Sequence, residues 1–486
     1  MRLLSTLLGN LRVLNNVELD PEISALEYDS RKVEAGSCFF AVVGSASDGH
    51  NYIESAIERG ARAIVCQRLP EHLNKDVAYV LIEDSNIAMA VMAAAFYGNP
   101  SQKLKLVGVT GTNGKTTTAT LLFDMFMAMG HKAGLISTVV YRIGERSIDS
   151  THTTPDSIRL NKMMREMVDE GCEYCFMEVS SHAAAQHRID YLHFTGALFT
   201  NLTHDHLDYH GTFKEYIRAK KSFFDSLDKG AWAVVNIDDR NGEVMVQNTR
   251  AKVYRLSLRS MADYHTRLIE LMPDAMQLDM AGHELWVKFT GRFNAYNLTT
   301  VYAAATLLGI DKMEVLTTLS TLSPVSGRFE TIVADDRTMA VVDYAHTPDA
   351  LDNVLQTIEE VRGPQQQLFV VCGCGGDRDR TKRPEMAQIA VRYATTAIFT
   401  SDNPRTESAE AILDDMVAGV GEARNYLRIT DRREAIRTAA MLAKPADIIL
   451  IAGKGHEDYQ IIGTEKHHFD DREEVRKAFD TTHNKR

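Results

Sequence analysis

Leu104-Lys-Leu-Val-Gly-Val-Thr-Gly-Thr-Asn-Gly-Lys-Thr-Thr117 is the stretch whose reading decides the fold. Leu104 to Thr110 reads as a strand. Thr118 to Met129 reads as a helix, with Leu121, Leu122, Met125 and Phe126 at helical spacing and Gly130 closing it. Between them lies Gly111-Thr-Asn-Gly-Lys-Thr-Thr117. A glycine-rich strand-to-helix turn aims backbone N–H groups at a phosphate, while a lysine neutralises β and γ oxygens and a hydroxyl reaches Mg²⁺. Gly111, Thr112, Asn113, Gly114, Lys115, Thr116 and Thr117 are therefore the expected ATP-binding residues, with Lys115 catalytic and Thr116 on the metal. The loop is a variant, because the position five residues before Gly114, where the generic motif has glycine, is Val109. An ordinary turn of small residues is the competing reading, and the strand and helix on either side weigh against it.

The 486 residues suffice for about three domains of roughly 150 residues each. A 44% hydrophobic, 25% charged composition is that of a soluble globular chain with a large core. The net charge of −12 argues against a nucleic-acid surface but leaves room for a local basic pocket. Ile87 to Tyr97, the longest apolar stretch, is too short to span a bilayer, and Met1-Arg2-Leu3-Leu4 lacks a signal-peptide pattern. The expectation is a cytoplasmic enzyme acting on small molecules, monomeric, with no nucleic-acid or membrane partner. Six cysteines make no disulfide framework. Cys172-Glu-Tyr-Cys175 has zinc-like spacing, but Cys175 opens an apolar run and Cys372 and Cys374 are spaced CxC, so buried thiols are expected.

Turn-rich punctuation at Gly98-Asn99-Pro100 and at Ser323-Pro324-Val325-Ser326-Gly327 divides the chain into residues 1–100, 101–327 and 328–486. The first segment has strands Ala63 to Cys66 and Tyr79 to Ile82 among helices, and suits docking rather than catalysis. In the second, the strand Tyr174 to Val179 ends in Glu178-Val-Ser-Ser-His182, and the strand Gly196 to Phe199 ends in Thr200-Asn-Leu-Thr-His-Asp-His206. Open α/β sheets bind ligands at strand carboxyl ends, so Glu178 and His206 are candidate catalytic residues and direct or water-bridged Mg²⁺ ligands. Singly, either residue is more often a cap or a satisfied turn residue.

The third segment repeats the pattern. Its strands are Met339 to Asp343, Leu368 to Gly373, Ala397 to Ser401 and Asp447 to Ala452, and its helices are Asp349 to Glu360 and Arg383 to Tyr393. They lead into Asp343-Tyr-Ala-His-Thr-Pro348, Gly373-Cys-Gly-Gly-Asp-Arg378, Asp402-Asn-Pro-Arg405 and Gly453-Lys-Gly-His-Glu457, which should meet at one sheet edge and share a cleft with the nucleotide. The fold class is α/β with three domains: a central P-loop mononucleotide-binding parallel sheet, an N-terminal α/β substrate-docking domain and a C-terminal Rossmann-like domain.

Ordered along the chain, Asp29-Ser-Arg31, Gly111 to Thr117, His152-Thr-Thr-Pro155, Glu178 to His182 with Gln186-His-Arg188, Asp205-His-Leu-Asp-Tyr-His-Gly211, Gly291-Arg-Phe-Asn-Ala-Tyr-Asn297, Asp343 to Pro348 and Gly455-His-Glu457 resemble the Mur ligase family over nearly the whole length. The resemblance implies ATP- and Mg²⁺-dependent amide formation through an acyl phosphate, with meso-diaminopimelate added to UDP-N-acetylmuramoyl-L-alanyl-D-glutamate. It also implies that Lys220, in Tyr216-Ile-Arg-Ala-Lys220, is catalytic and carries a carbamate that binds Mg²⁺. On residues alone, Lys220 and Lys221 would read as a solvated helix face. The resemblance places Ser30, Ser45, Ala46, Ser47, His152, Thr153, Thr154, Ser180, Gln186 and Arg188 around the UDP substrate, and Asn297, Arg328 and Asp343 with ATP. His152 stands where relatives often have Asn. For diaminopimelate it implies Arg378, Asp402, Asn403, Pro404, Arg405, Gly453 and Glu457, and a guanidinium at Arg405 suits a distal carboxylate that lysine lacks. A lysine-adding relative, a folylpolyglutamate synthase-like ligase and a P-loop switch that hydrolyses ATP are the alternatives.

Overall fold

The computed structural model describes residues 1–44, 47–150, 152–203 and 207–483, so Ser45, Ala46 and His206 lie outside the described residues. The described chain divides into two compact units. Met1–Leu202, Thr212–Leu256 and Ala303–Ile310 form one, and Thr203–Gly211, Ser257–Tyr302 and Asp311–Arg486 form the other. Three sheets, each built on parallel strands, carry the described fold.

In the first unit, Ala25–Glu27, Ser37–Phe40, Ala63–Cys66 and Ala78–Leu81 pair in that order as a small parallel sheet. The Ser85–Phe96 helix follows it, started by Asp84, whose carboxylate accepts from Asn86 and Ile87 N–H. The second sheet of this unit is built around Lys105–Thr110. That strand lies between Tyr174–Glu178 and Gly196–Phe199, and Ala133–Ile136, Trp232–Asn236 and Lys252–Ser257 extend the parallel arrangement. The chain leaves Lys105–Thr110 toward one side and later returns on the other. The strand order thus switches direction at the glycine-rich turn, where a crevice opens in such sheets. The antiparallel strands Val140–Ile143 and Arg146–Asp149 then extend the Ala133–Ile136 edge, a feature the sequence reading did not include.

In the second unit, Tyr264–Leu271, Met276–Met280 and His283–Val287 form an antiparallel meander. The main sheet runs Glu330–Val333, Met339–Asp343, Ile448–Ala452, Leu368–Cys372, Thr396–Phe399 and Tyr426–Arg428, parallel except for its first strand. Successive residues pack on opposite faces. Val341, Val370 and Leu450 pack with Leu351, Leu355 and Met386 on one side, whereas Val342, Val371 and Ile451 pack with Ile436, Ala439 and Phe479 on the other. Burial on both faces explains why these strands are continuously apolar in sequence. The Pro348–Val361 helix starts where Thr347 accepts from Ala350 N–H and Pro348 occupies the first turn; Leu351, Val354, Leu355 and Ile358 bury its inner stripe.

Register places the strand ends together. Asp343 pairs with Ala452, Val371 with Ile451 and Cys372 with Phe399, so the four polar loops that follow emerge at one edge of this sheet. All six cysteines are free and buried. Burial pushes the thiols of Cys175 and Cys372 up, and among the described residues no group of three or more His, Cys, Asp or Glu is placed to hold a metal ion. Among them also, no helix is long and apolar enough to cross a membrane.

Candidate functional site

The glycine-rich turn is held from the next strand. Thr112 N–H donates to the Asn201 carbonyl at 2.8 Å, Asn113 N–H donates to Asn201 Oδ1 at 3.0 Å, and Thr200 Oγ1 donates to the Asn113 carbonyl at 2.6 Å. Gly114, at φ +85°, precedes the Lys115–Ala128 helix as its N-cap. With Thr112 and Asn113 bonded to Asn201, the first turn of that helix, bearing Lys115, Thr116 and Thr117, is the part of the loop that can present N–H groups to an anion. Thr116 and Thr117 are buried. The Lys115 ammonium donates to the carbonyls of Gly111 and Thr112 at 2.9 and 2.8 Å, so its charge sits over the turn.

Lys220 and Lys221 separate cleanly. Tyr216, Ala219, Lys220, Phe223 and Phe224 form the buried stripe of the Phe213–Asp225 helix. Lys220 is only 2% exposed and donates to the Gly111 carbonyl at 2.8 Å, while Lys221 pairs with Asp225 at 2.6 Å. Lys220 therefore packs under the glycine-rich turn rather than on a solvated face. Tyr216, in the same stripe, brings its hydroxyl to 3.1 Å from Thr112 Oγ1.

Glu178 closes the neighbouring strand, level with Val109, and is fully buried. Its two carboxylate oxygens meet one residue: Thr138 N–H donates to Oε1 at 2.7 Å, and Thr138 Oγ1 lies 3.2 Å from Oε2. The same hydroxyl is 3.0 Å from Thr153 Oγ1. Thr154 Oγ1 donates to the Glu178 carbonyl at 2.8 Å and accepts from Ser180 N–H at 3.1 Å. Arg188 donates to the Thr154 carbonyl at 2.7 Å and to Gln186 Oε1. Tyr141 donates to the His152 carbonyl. Burial, with Arg188 nearby, holds the His152 imidazole below its ordinary value. Glu178, Thr153, Thr154, Ser180, Gln186 and Arg188, joined through Thr138, are thus one bonded network, with His152 next to Thr153 and held by Tyr141.

Ser30 opens the short helical turn Ser30–Lys32 that follows the strand Ala25–Glu27 and is capped by Asp29. A hydrogen bond from Arg31 holds the Asp29 carboxyl down at about 2. Ser47 closes a turn by accepting from Gly44 N–H at 2.9 Å.

In the second unit, Asn297 donates to Asn294 Oδ1 at 3.1 Å, and the Arg328 guanidinium lies 4.6 Å from the Tyr344 ring centre. Asp343 accepts from Phe329 N–H at 2.7 Å, and burial raises its carboxyl to about 6 against the pull of Arg328. His456 packs on Tyr344 with ring centres 4.9 Å apart.

Arg405 sits at φ +52° and donates to the Gly376 carbonyl at 2.8 Å. Gly375 admits this guanidinium, since a Cβ there would lie 2.9 Å from Arg405 Nη1 and 3.7 Å from Arg378 Cγ. Neither Arg405 nor the exposed Arg378 is paired with a carboxylate among the described residues, whereas Arg380, Arg383, Arg428 and Arg432 of the same domain all are. Arg383, buried, bonds Glu407, Asp415 and the Gly375 carbonyl, and Glu407 accepts from Asp377 N–H. It therefore ties the loop bearing Arg378 to the loop bearing Arg405. Asp402, Asn403 and Pro404 are buried alongside. Asn403 donates to Glu457 Oε2 at 2.9 Å, and Gly453, at φ +118°, faces Asp402.

Sequence reasoning missed Thr138, Thr200, Asn201, Tyr216 and Arg383. Thr200 and Asn201 were visible only as part of a polar strand end, and Thr138 carried no motif.

The fold and this arrangement define a P-loop α/β protein with a second, charge-lined sheet edge. Residues 22–97 match the model of the Mur ligase family catalytic domain, 109–305 that of the Mur ligase middle domain and 327–455 that of the Mur ligase glutamate ligase domain. A Phocaeicola vulgatus protein named UDP-N-acetylmuramoyl-L-alanyl-D-glutamate–2,6-diaminopimelate ligase is 54% identical over 460 residues, covering 94% of this chain and 95% of its own. A Bacteroides fragilis protein of the same name is 52% identical over 465 residues, covering 95% and 96%. A solved structure of a UDP-N-acetylmuramoyl-L-alanyl-D-glutamate–2,6-diaminopimelate ligase superposes with a TM-score of 0.67 at 34% identity, over 94% of this chain and 95% of that one. The chain belongs to the Mur ligase family.

Proposed function

We propose that this protein is an ATP-dependent amide ligase that joins meso-diaminopimelate to UDP-N-acetylmuramoyl-L-alanyl-D-glutamate in the cytoplasmic synthesis of peptidoglycan precursor. The observation that carries the acceptor assignment is the pair of guanidiniums without carboxylate partners among the described residues, Arg405 and Arg378, flanking Gly375 in the same loop cluster as Glu457. A diamino diacid satisfies both ends: its distal carboxylate meets the guanidiniums and its ammonium meets the carboxylates. L-lysine would leave the arginines unmatched, which disfavours the lysine-adding reading.

A carboxylate is a poor electrophile and must be activated. Its oxygen attacks the γ-phosphorus of ATP, ADP leaves, and an acyl phosphate results. The amine nitrogen then attacks the acyl carbon, the tetrahedral intermediate expels phosphate, and the amine loses its proton. In this reading the first turn of the Lys115–Ala128 helix and the Lys115 ammonium take the charge that gathers on the phosphoryl oxygens. The Glu178, Thr154, Ser180 and Arg188 network orients the substrate carboxylate, and Ser30 and Ser45 to Ser47 hold the nucleotide-sugar end. Asn297, Arg328 and Asp343 are assigned to the nucleotide by the family resemblance.

Thr116 and Glu178 offer the oxygen donors a hard cation prefers. Lys220 as an ammonium is a donor to Gly111 and would fit a metal only after it loses one proton to free the Nζ lone pair, adds CO₂ there and loses a second proton, becoming a carbamate. Thr116, Glu178, carbamylated Lys220 and His206 would then hold Mg²⁺, which when bound neutralises triphosphate charge.

Heavy-oxygen labelling tests the chemistry. Label placed in the substrate's terminal carboxylate should appear in the released phosphate. Label retained wholly in the amide product, or phosphate released without an acceptor, would point instead to a hydrolytic switch.

A further inference from the structure

Lys454 lies between Gly453 and Gly455, and its side chain is 0% exposed. Its ammonium donates to Glu457 Oε2 at 3.1 Å and to Asn403 Oδ1 at 3.3 Å, and stands 5.4 Å from the centre of the Tyr459 ring. Asn403 Oδ1 also accepts from Ile461 N–H at 2.9 Å, so the amide is oriented: its oxygen faces two donors and its nitrogen donates to Glu457 Oε2. Glu457 Oε2 therefore receives two bonds from the protein, and Oε1 receives none among the described residues. The carboxylate is half satisfied, with one oxygen fixed and the other left to an incoming donor.

The charge count sharpens this. The buried Asp402 lies close enough to disfavour the ionisation of Glu457, and Lys454 is the cation that opposes this. Tyr344 and Tyr459 also feel the Glu457 charge. Burial and Asp402 push the Glu457 carboxyl up, while Lys454 and Asn403 pull it down. Arg432 lies near Asp402 and Arg405 near Tyr459, but Lys454 is the cation bonded to Glu457; without it, burial and Asp402 would act on Glu457 unopposed by that ammonium, and Glu457 would take up a proton more readily. A protonated Glu457 has no charge to offer an ammonium.

We infer that Lys454 is a positioning residue for the acceptor: it holds Glu457 ionised and Asn403 oriented, so that Glu457 Oε1 receives the ammonium of the incoming amino acid. The inference rests on the acceptor assignment made above. Lys454 itself touches neither reacting atom. Its effect passes through Glu457, which distinguishes it from Arg405 at the carboxylate end.

The test compares wild type with Lys454→Gln and Lys454→Met by steady-state kinetics in each substrate across pH. Losing a charge-assisted bond should raise KM for diaminopimelate by about 10-fold or more while KM for ATP stays within about 2-fold. For Lys454→Gln, which keeps a neutral polar side chain beside Glu457, the penalty should shrink as pH rises and Glu457 ionises without help. In a Glu457→Gln background, adding Lys454→Met should change KM for diaminopimelate little further, because the charge it maintained is gone. If Lys454→Met does not fold, the Lys454→Gln pH profile decides alone. Equal rises in both KM values, a penalty that does not vary with pH, or additive effects in the double variant would overturn the inference while the acceptor assignment stands. A wild type that does not use diaminopimelate would overturn both.

Discussion

Thr200 Oγ1 donates to the Asn113 carbonyl at 2.6 Å and lies where a side chain on Gly111 would have to go, since a Cβ there would sit 1.9 Å from that oxygen. Gly111 also has φ +152°. The turn thus depends on glycine twice, once for its backbone angle and once to let the neighbouring strand end close over it. Gly111→Ala should cost about 1–3 kcal/mol through strain and raise KM for ATP about 10-fold or more, with KM for the amino acid little changed. Steady-state kinetics and a thermal melt check both parts.

Arg405→Ala should raise KM for diaminopimelate by about 10- to 100-fold, the value of a charge-assisted bidentate contact, and leave KM for ATP within about 2-fold. Arg405→Lys should recover little of the loss, because an ammonium lacks the planar fork. Similar rises in both KM values would count against a carboxylate clamp.

Lys220→Ala should lower turnover about 100-fold or more, with partial recovery when a short carboxylic acid is added to replace the carbamate oxygens. Lys221→Ala removes only the Lys221–Asp225 pair, worth at most about 1 kcal/mol, and should leave turnover within about 2-fold. A Lys220→Ala enzyme that stays active and is indifferent to CO₂ would remove the carbamate from the scheme.

His456 supplies a stability prediction. Burial, with Arg328 and Arg472 nearby, lowers its imidazole from 6.5 to about 3. Its folded value lies below its unfolded one, so protons favour the unfolded chain. Stability should therefore fall as pH drops from about 6.5 toward 3, by no more than ~1.4 kcal/mol per pH unit from this group. His456→Phe keeps a ring against Tyr344 and removes the proton site. The variant should gain thermal stability relative to wild type as pH is lowered through this window, and a constant difference would refute the assignment.

The fold was legible where burial is simple. Leu368 to Cys372 is covered on both faces, so its apolar run reads as a strand, and Thr347-Pro348 marks a helix start by capping alone. The polar loops were legible as strand ends, but not how they are held. Thr138 grips Glu178 from 40 residues away, and no local pattern announces it. Lys220 and Lys221 are adjacent in sequence and opposite in environment, and the helical stripe from Tyr216 to Phe224 shows which is buried only once the inner face is known. Val140–Ile143 and Arg146–Asp149 were missed because antiparallel edge pairing leaves a weaker pattern than a doubly covered parallel strand.

The most direct measurement is ADP formation from ATP and UDP-N-acetylmuramoyl-L-alanyl-D-glutamate with meso-diaminopimelate, L-lysine or L-glutamate as the sole acceptor, with the product identified by mass. The account predicts ADP and tripeptide product with diaminopimelate, and kcat/KM lower by about 100-fold or more with the other two. Preference for lysine or glutamate, or ADP formed at the same rate with no acceptor present, would contradict it.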